Sequence, residues 1–216
     1  MKLRIYKIKE IIIKNLMWII LFFCIIGFLL LAEDVFNKEI MNGDIIGYKF
    51  ISTYLMSDFV TPIAKFITNF GGATCLISIA IILFVIIKDK KIGISIILNL
   101  GIVTILNVLL KRILQRPRPE NFRIINESGY SFPSGHSMIS MAFYGFIIYL
   151  IYKNVKNKYL KWTLITILGA LIISIGISRI YLGVHYTSDV LAGFLIAISY
   201  LIVYISIINK FVLERD

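Results

Sequence analysis

The sequence specifies an all-α, polytopic membrane protein with six transmembrane helices and an external interfacial helical segment. Three observations predict it. Of 216 residues, 59% are hydrophobic and the mean hydropathy is +0.88, more apolar surface than one soluble domain of this size can bury. The apolar residues come in blocks close to the roughly 20 that an α-helix needs to cross a bilayer. The charges fall between the blocks, and their balance alternates from one connection to the next.

The first block, Leu16 to Ala32, follows Lys2, Arg4, Lys7 and Lys9. Its apolar run is too long for a secretory signal and no small-residue cleavage site follows, so it reads as a retained helix. Next, Val35 to Phe70 mixes Ile45, Ile46, Tyr48, Phe50, Ile51, Tyr54 and Leu55 with scattered charge. That spacing suits an amphipathic helix in the interface, either a guide for a lipid or a structural cap. The remaining spans are Thr74 to Lys88, Ile92 to Leu110, Ser137 to Tyr152, Trp162 to Ser178 and Val190 to Asn209. The second and fourth of the six are short, which predicts that they run on into neighbouring connections or sit against protein rather than lipid. There is no repeat and no Gly/Ser linker, so 1–216 reads as one domain with its motifs between 111 and 189. Cys24 and Cys75 lie within or beside apolar blocks, as packing thiols do.

A net charge of +11 in a soluble protein would point to nucleic acid; here its placement points instead to the bilayer and to no nucleic-acid partner. The N-terminal segment, the turn Lys88 to Lys91 and the link carrying Lys153, Lys156, Lys158 and Lys161 are basic, and six spans put all three on one side. The positive-inside rule makes that side the cytoplasm, with both termini there. The first opposite segment carries Glu33, Asp34, Glu39, Asp44 and Asp58 against Lys38, Lys49 and Lys65. Lys111 to Pro133 breaks the pattern: it lies on the external side yet holds five basic residues and three of the four prolines. A positive external connection needs another reason to be positive, and binding an anion supplies one.

Three clusters flank that connection. Lys111 closes the third span and Arg118-Pro119 follows after six residues, a pair that equally suits snorkelling anchors at a helix end. Pro133-Ser134-Gly135-His136 stands just before the fourth span, where free backbone N–H groups, the helix dipole, a hydroxyl and a close-approach glycine suit phosphate; an ordinary Ser cap beside an incidental His has the same pattern. Ser178-Arg179, His185 and Asp189 lie at the junction of the fifth and sixth spans. Asp189 is four residues beyond His185, within reach of its imidazole if the turn is helical, and it also suits an N-cap of the sixth helix. The topology brings all three clusters to the external ends of spans three to six. Arg112, Arg116 and Arg123 are further cations nearby, suited to a second phosphate or a headgroup, or else solvated.

These residues resemble the type 2 phosphatidic acid phosphatase superfamily, whose spacings they keep. The motifs cover the second half of the chain. The resemblance implies that His185 is a nucleophile forming a phosphohistidine, oriented by Asp189. His136 is implied as the general acid for the leaving group and then the base that activates water. Lys111, Arg118, Ser134, the Gly135 amide and Arg179 are implied to hold the non-bridging oxygens, with no metal and no cofactor. The implied substrate is a membrane lipid phosphate on the extracytoplasmic face: phosphatidylglycerophosphate, undecaprenyl pyrophosphate or phosphatidic acid. A lipid-phosphate carrier or binding protein without chemistry needs only the cations, so the two histidines and Asp189 favour an enzyme. A phosphotransferase differs only in whether an alcohol or water attacks the phosphohistidine. Oligomeric state is left open.

Overall fold

The caps and breakers written into the sequence set the helix ends. In this computed structural model the backbone is described for residues 2–38, 41–120 and 122–213, and side chains for 15–38, 41–120 and 122–211. The side chains of Lys2, Arg4, Lys7 and Lys9, and Glu39 entirely, used above to orient the chain, lie outside the described residues. The helices are α1 (Lys2–Phe36), α2 (Asn42–Tyr54), α3 (Val60–Asn69), α4 (Ala73–Ile86), α5 (Lys90–Leu114), α6 (Gly135–Asn154), α7 (Lys158–Tyr181) and α8 (Thr187–Ile208), the last running into a short π-helical turn, Asn209–Leu213. The Asp89 carboxylate accepts from the Lys91 N–H to cap α5, and Asn157 caps α7 through the Leu160 N–H. At the other end of α5, Gln115 turns left-handed with φ 46° just before Pro117, and the helix stops.

Among the described residues, five helices are each long and apolar enough to cross a membrane. The sixth crossing is a bent pair, α3 followed by α4 at 49°. Thus the short second span extends backwards, and the expected interfacial segment divides: α1 takes its start, α2 its middle, and α3 joins the crossing. The break falls at Phe70-Gly71-Gly72, and the Tyr144 hydroxyl of α6 donates to the Phe70 carbonyl that the bend frees. The short fourth span is α6, and it sits against protein. Of its apolar window 44% is buried, against 17% for α1, which places α6 at the centre and α1 on the lipid side.

Around α6 pack α5, α7 and α8, with α1 on the far face of α8. Phe143, Tyr144, Phe146, Leu201 and Tyr204 fill the middle. The Tyr204 hydroxyl donates to the Ser95 carbonyl and the Tyr200 hydroxyl to that of Asn99, so polar side chains within the bundle bind α8 to α5. Phe22, Phe23, Leu29, Ile81, Val85 and Ile105 are exposed, and in a bilayer such surface faces lipid at no cost. Cys24 is buried and Cys75 half-buried, both as free thiols.

The backbone at the start of α6 packs closely on α8 at Gly193. A Cβ there would stand 3.0 Å from the Ser134 carbonyl oxygen and 3.2 Å from the Met138 nitrogen. Gly193→Leu is therefore expected to cost about 1–3 kcal/mol through overpacking and to lower the melting temperature in detergent micelles; an unchanged melting curve would contradict this close contact.

Candidate active site

Four antiparallel helices end at the same face. Lys111 lies in the last turn of α5, His136 in the first turn of α6, Arg179 in the last turn of α7 and Asp189 in the first turn of α8. The 115–134 connection is folded back on itself, with the Ser131 N–H donating to the Arg116 carbonyl and the Ser131 hydroxyl to that of Pro117. Two further backbone bonds tie it to its neighbours: Ile124 N–H to the Leu182 carbonyl, and Ser134 N–H to that of Asp189. Gly183 sits at φ 70°, and a side chain there would run into the Phe122 carbonyl, so the two connections meet only because position 183 is glycine.

His185 is 3% exposed and held on both sides. Its Nδ1 lies 3.2 Å from Asp189 Oδ2, and its Nε2 lies 3.0 Å from Arg118 Nη1. Arginine has no acceptor, so Nε2 is the nitrogen with the lone pair, and Nδ1 carries the hydrogen donated to Asp189. Burial pushes the imidazole down to about 4, against the opposing hydrogen bond and charge of Asp189. Near neutrality His185 is therefore an uncharged base whose electron pair at Nε2 accepts from Arg118. Asp189 also accepts from the Tyr186 N–H at 2.9 Å; the N-cap of α8 is Tyr186, and Asp189 serves it from the N3 position of a capping box.

The cations gather beside that nitrogen. Arg118 donates Nε to the Gly129 carbonyl, Nη1 to that of Val184 and to His185 Nε2, and Nη2 to that of Ser128, leaving one Nη2 N–H without a hydrogen bond among the described residues. Lys111 Nζ donates to the Tyr130 and Ser131 carbonyls. Arg179, 1% exposed, donates to Thr68 Oγ1 at 2.7 Å and to Glu127 Oε1 at 2.5 Å, and its buried Nε has no acceptor among the described residues. Glu127 also stands 3.8 Å from Arg118. Burial would raise its carboxyl, but the hydrogen bond and charge of Arg179 outweigh that and hold it below the usual range. A carboxylate thus lies across two of the predicted phosphate-holding arginines.

Ser134 is fully buried and caps α6, its Oγ accepting from the Ser137 N–H at 3.4 Å and the Ser137 hydroxyl at 2.9 Å. Its own hydrogen stays available to a ligand. Gly135 packs so close to Asn107 that a Cβ would stand 3.0 Å from Oδ1. His136, half-buried, lies against Gly71 and Gly72 at the α3–α4 break and within electrostatic range of Glu127. All eight predicted residues meet at this face. Among the described residues no group of three His, Cys, Asp or Glu side chains is placed to hold a metal ion.

Four residues that the motifs do not mark join the site: Arg116, Asp44, Glu127 and Thr68. Arg116, a candidate for a second phosphate or a headgroup or else a solvated cation, is buried and ion-paired at 2.7 Å to both Asp44 and Asp189. Arg112 and Arg123 are exposed. The two-residue step from Arg116 to Arg118 was the one available hint that both face inward in an extended segment. Beside His185 opens a cavity of about 400 Å³, walled by Ile45 and Tyr48 of α2 with Phe122, Ile180 and Tyr186.

A polytopic helical bundle with an oriented, uncharged histidine, a second histidine and a cation cluster at one end defines the class of membrane phosphatases. Within that class the chain belongs to the PAP2 superfamily, whose model matches residues 92–213. Phosphatidylglycerophosphatase B of Bacillus subtilis (strain 168) is 31% identical over 172 residues, 77% of this chain and 84% of that protein. Undecaprenyl-diphosphatase of Sulfolobus acidocaldarius is 29% identical over 181 residues, 79% of this chain and 78% of that one. The crystal structure of a transmembrane PAP2 type phosphatidylglycerolphosphate phosphatase from Bacillus subtilis matches with a TM-score of 0.76 at 28% identity, over 88% of this chain and 96% of that chain.

Two outcomes are expected. The fold refuses a proton that the unfolded chain takes up below about pH 6.5, so His185 contributes stability that is full above that pH and lost as pH falls towards 4. Melting temperatures between those values should drop in the wild type and drop less in His185→Gln; parallel curves would count against a buried neutral imidazole. Removing the resident carboxylate charge with Glu127→Gln should tighten inorganic phosphate binding by about three- to tenfold in calorimetric titration. Weaker binding would mean that Glu127 organises the arginines rather than competing for them.

Proposed function

We propose that this chain hydrolyses a membrane lipid phosphate at the extracytoplasmic face through a phosphohistidine, with both termini in the cytoplasm. The observation that carries the reading is the His185 Nε2 lone pair, aimed into the cations by Asp189 on the opposite nitrogen. Nε2 attacks phosphorus, and the bond from phosphorus to the lipid oxygen breaks. His136 protonates that oxygen. Water then attacks phosphorus, gives its proton to His136, and breaks the P–N bond, releasing inorganic phosphate and restoring both histidines. Lys111, Arg118, Arg179, the Ser134 hydroxyl and the Gly135 N–H hold the non-bridging oxygens, where the spare N–H groups of Arg118 and Arg179 supply charge-assisted bonds without a metal.

The apolar cavity beside His185 and the exposed apolar residues of α2 support a lipid rather than a soluble phosphate ester. Candidate substrates are phosphatidylglycerophosphate, undecaprenyl pyrophosphate and phosphatidic acid. The first two are supported by the names of the relatives described above.

The test is phosphate release by purified protein from a panel of lipid phosphates, with EDTA present. Release from at least one is expected, falling by about 10³-fold or more in His185→Ala, with a radiolabelled phosphoenzyme trapped by acid-free quenching in the wild type alone. Equal release by both proteins would remove the nucleophile assignment.

A further inference from the structure

We propose that Asp44 and Arg116 are positioning residues that set the negative charge Asp189 presents to His185. This rests on the reading of His185 as the nucleophile. Arg116 leaves the α5–α6 connection and enters the start of α8, where Nη1 donates to Asp189 Oδ1 and to Ser188 Oγ, each at 2.7 Å, and Nη2 donates to Asp44 Oδ2 at 2.7 Å. Its guanidinium lies 4.0 Å over the Tyr186 ring. Asp44 comes from α2, and its carboxylate also accepts from the Ser188 N–H at 2.7 Å and the Ser188 hydroxyl at 2.9 Å. All three charged side chains are buried.

With those partners filled, neither Arg116 nor Asp44 is set to hold substrate. Their effect runs through Asp189. As Nε2 takes a phosphoryl group the imidazole becomes positive, and Asp189 is the charge that meets it on Nδ1. Arg116, on the other oxygen, draws that charge away. Asp44 in turn neutralises Arg116, so the chain of three carries one net negative charge towards His185 rather than none. The same carboxylate fastens α2, whose Ile45, Tyr48 and Lys49 wall the cavity, to the helix turn that bears the catalytic pair.

Other charges reach the imidazole as well. Asp189 faces it from α8, Arg118 from the α5–α6 connection, Arg179 from α7 and His136 from α6, while Lys111 of α5 lies within range of Asp189. None of these is altered by changing Asp44 or Arg116, so the sign of the two substitutions is clear. Asp44→Asn leaves Arg116 unbalanced and makes the surroundings of His185 more positive. Arg116→Gln leaves two carboxylates and makes them more negative.

The experiment is the pH dependence of kcat/KM for phosphate release from the best lipid substrate, in the full-length protein and in Asp44→Asn, Arg116→Gln and the double variant. The acid limb should move to lower pH in Asp44→Asn and to higher pH in Arg116→Gln, each by about half to one unit, with the double variant between them. kcat should fall by about tenfold in Asp44→Asn with a smaller change in KM. A limb position is independent of how much protein is folded, so a purely structural role would lower activity and leave all the limbs coincident. Coincident limbs, or movement of both single variants in one direction, would overturn the proposal; should one variant not fold, the other reads the sign alone. Failure of the underlying function would look different, with no phosphate release from the wild type or release unaffected by His185→Ala.

Discussion

Asp189 is fully buried, and this end of the bundle is arranged around keeping it ionised and pointed at His185. A carboxylate taken out of water is costly unless every lone pair finds a donor and its charge finds a partner. Here one oxygen receives the imidazole N–H and the first free amide of α8, and the other receives Arg116. A backbone bond from the Ser134 N–H to the Asp189 carbonyl then sets the start of α6 against the same turn. Orientation of His185, capping of α8 and placement of the serine-glycine turn are consequences of a single buried group. Breaking such a pair from one side costs about 3–5 kcal/mol, so the site and the stability of this end of the bundle are coupled.

The bundle beneath makes that arrangement rigid. Lipid offers no hydrophobic drive between helices, so the tight joints come from small residues and interhelical hydrogen bonds. Gly193 brings α8 onto the first turn of α6, and Tyr200 and Tyr204 fasten α8 to α5. These three helices carry Asp189, His136 and Lys111. The mobile freedom of a loop is thereby denied to the three side chains at this end of the bundle.

Much of this was legible in the sequence for a plain reason. Span length is set by the bilayer, and motif spacing is local, so the apolar blocks and the clusters at Lys111, Ser134 and His185 could be read one at a time. Partnerships across long separations could not. Asp44 stands 72 residues from Arg116 and looked like one of several acids in a mildly acidic connection. Glu127 lies in a polar loop whose fold depends on backbone bonds that composition does not encode. The first half of the bent second crossing was hidden because α3 contains Pro62, Lys65 and Thr68 ahead of the apolar block; Pro62 and Lys65 stay exposed, and Thr68 is buried where it accepts from Arg179.

Gathering cations in a dry pocket carries its own difficulty, because Lys111, Arg118 and Arg179 repel one another where the dielectric is low. The fold answers with oxygens. Carbonyls of residues 128 to 131 and 184 take up N–H groups of Lys111 and Arg118, and Glu127 takes up Arg179. A carbonyl dipole holds an arginine in direction without cancelling its charge, so the attraction for an anion survives. The Glu127 carboxylate does cancel charge, but it carries one unit where a phosphate monoester near neutrality carries close to two, with three acceptor oxygens in place of two. On charge alone, a phosphate placed here would outmatch the carboxylate, which lies within electrostatic range of His136. The pocket is stable when empty because its resident anion is the weaker one.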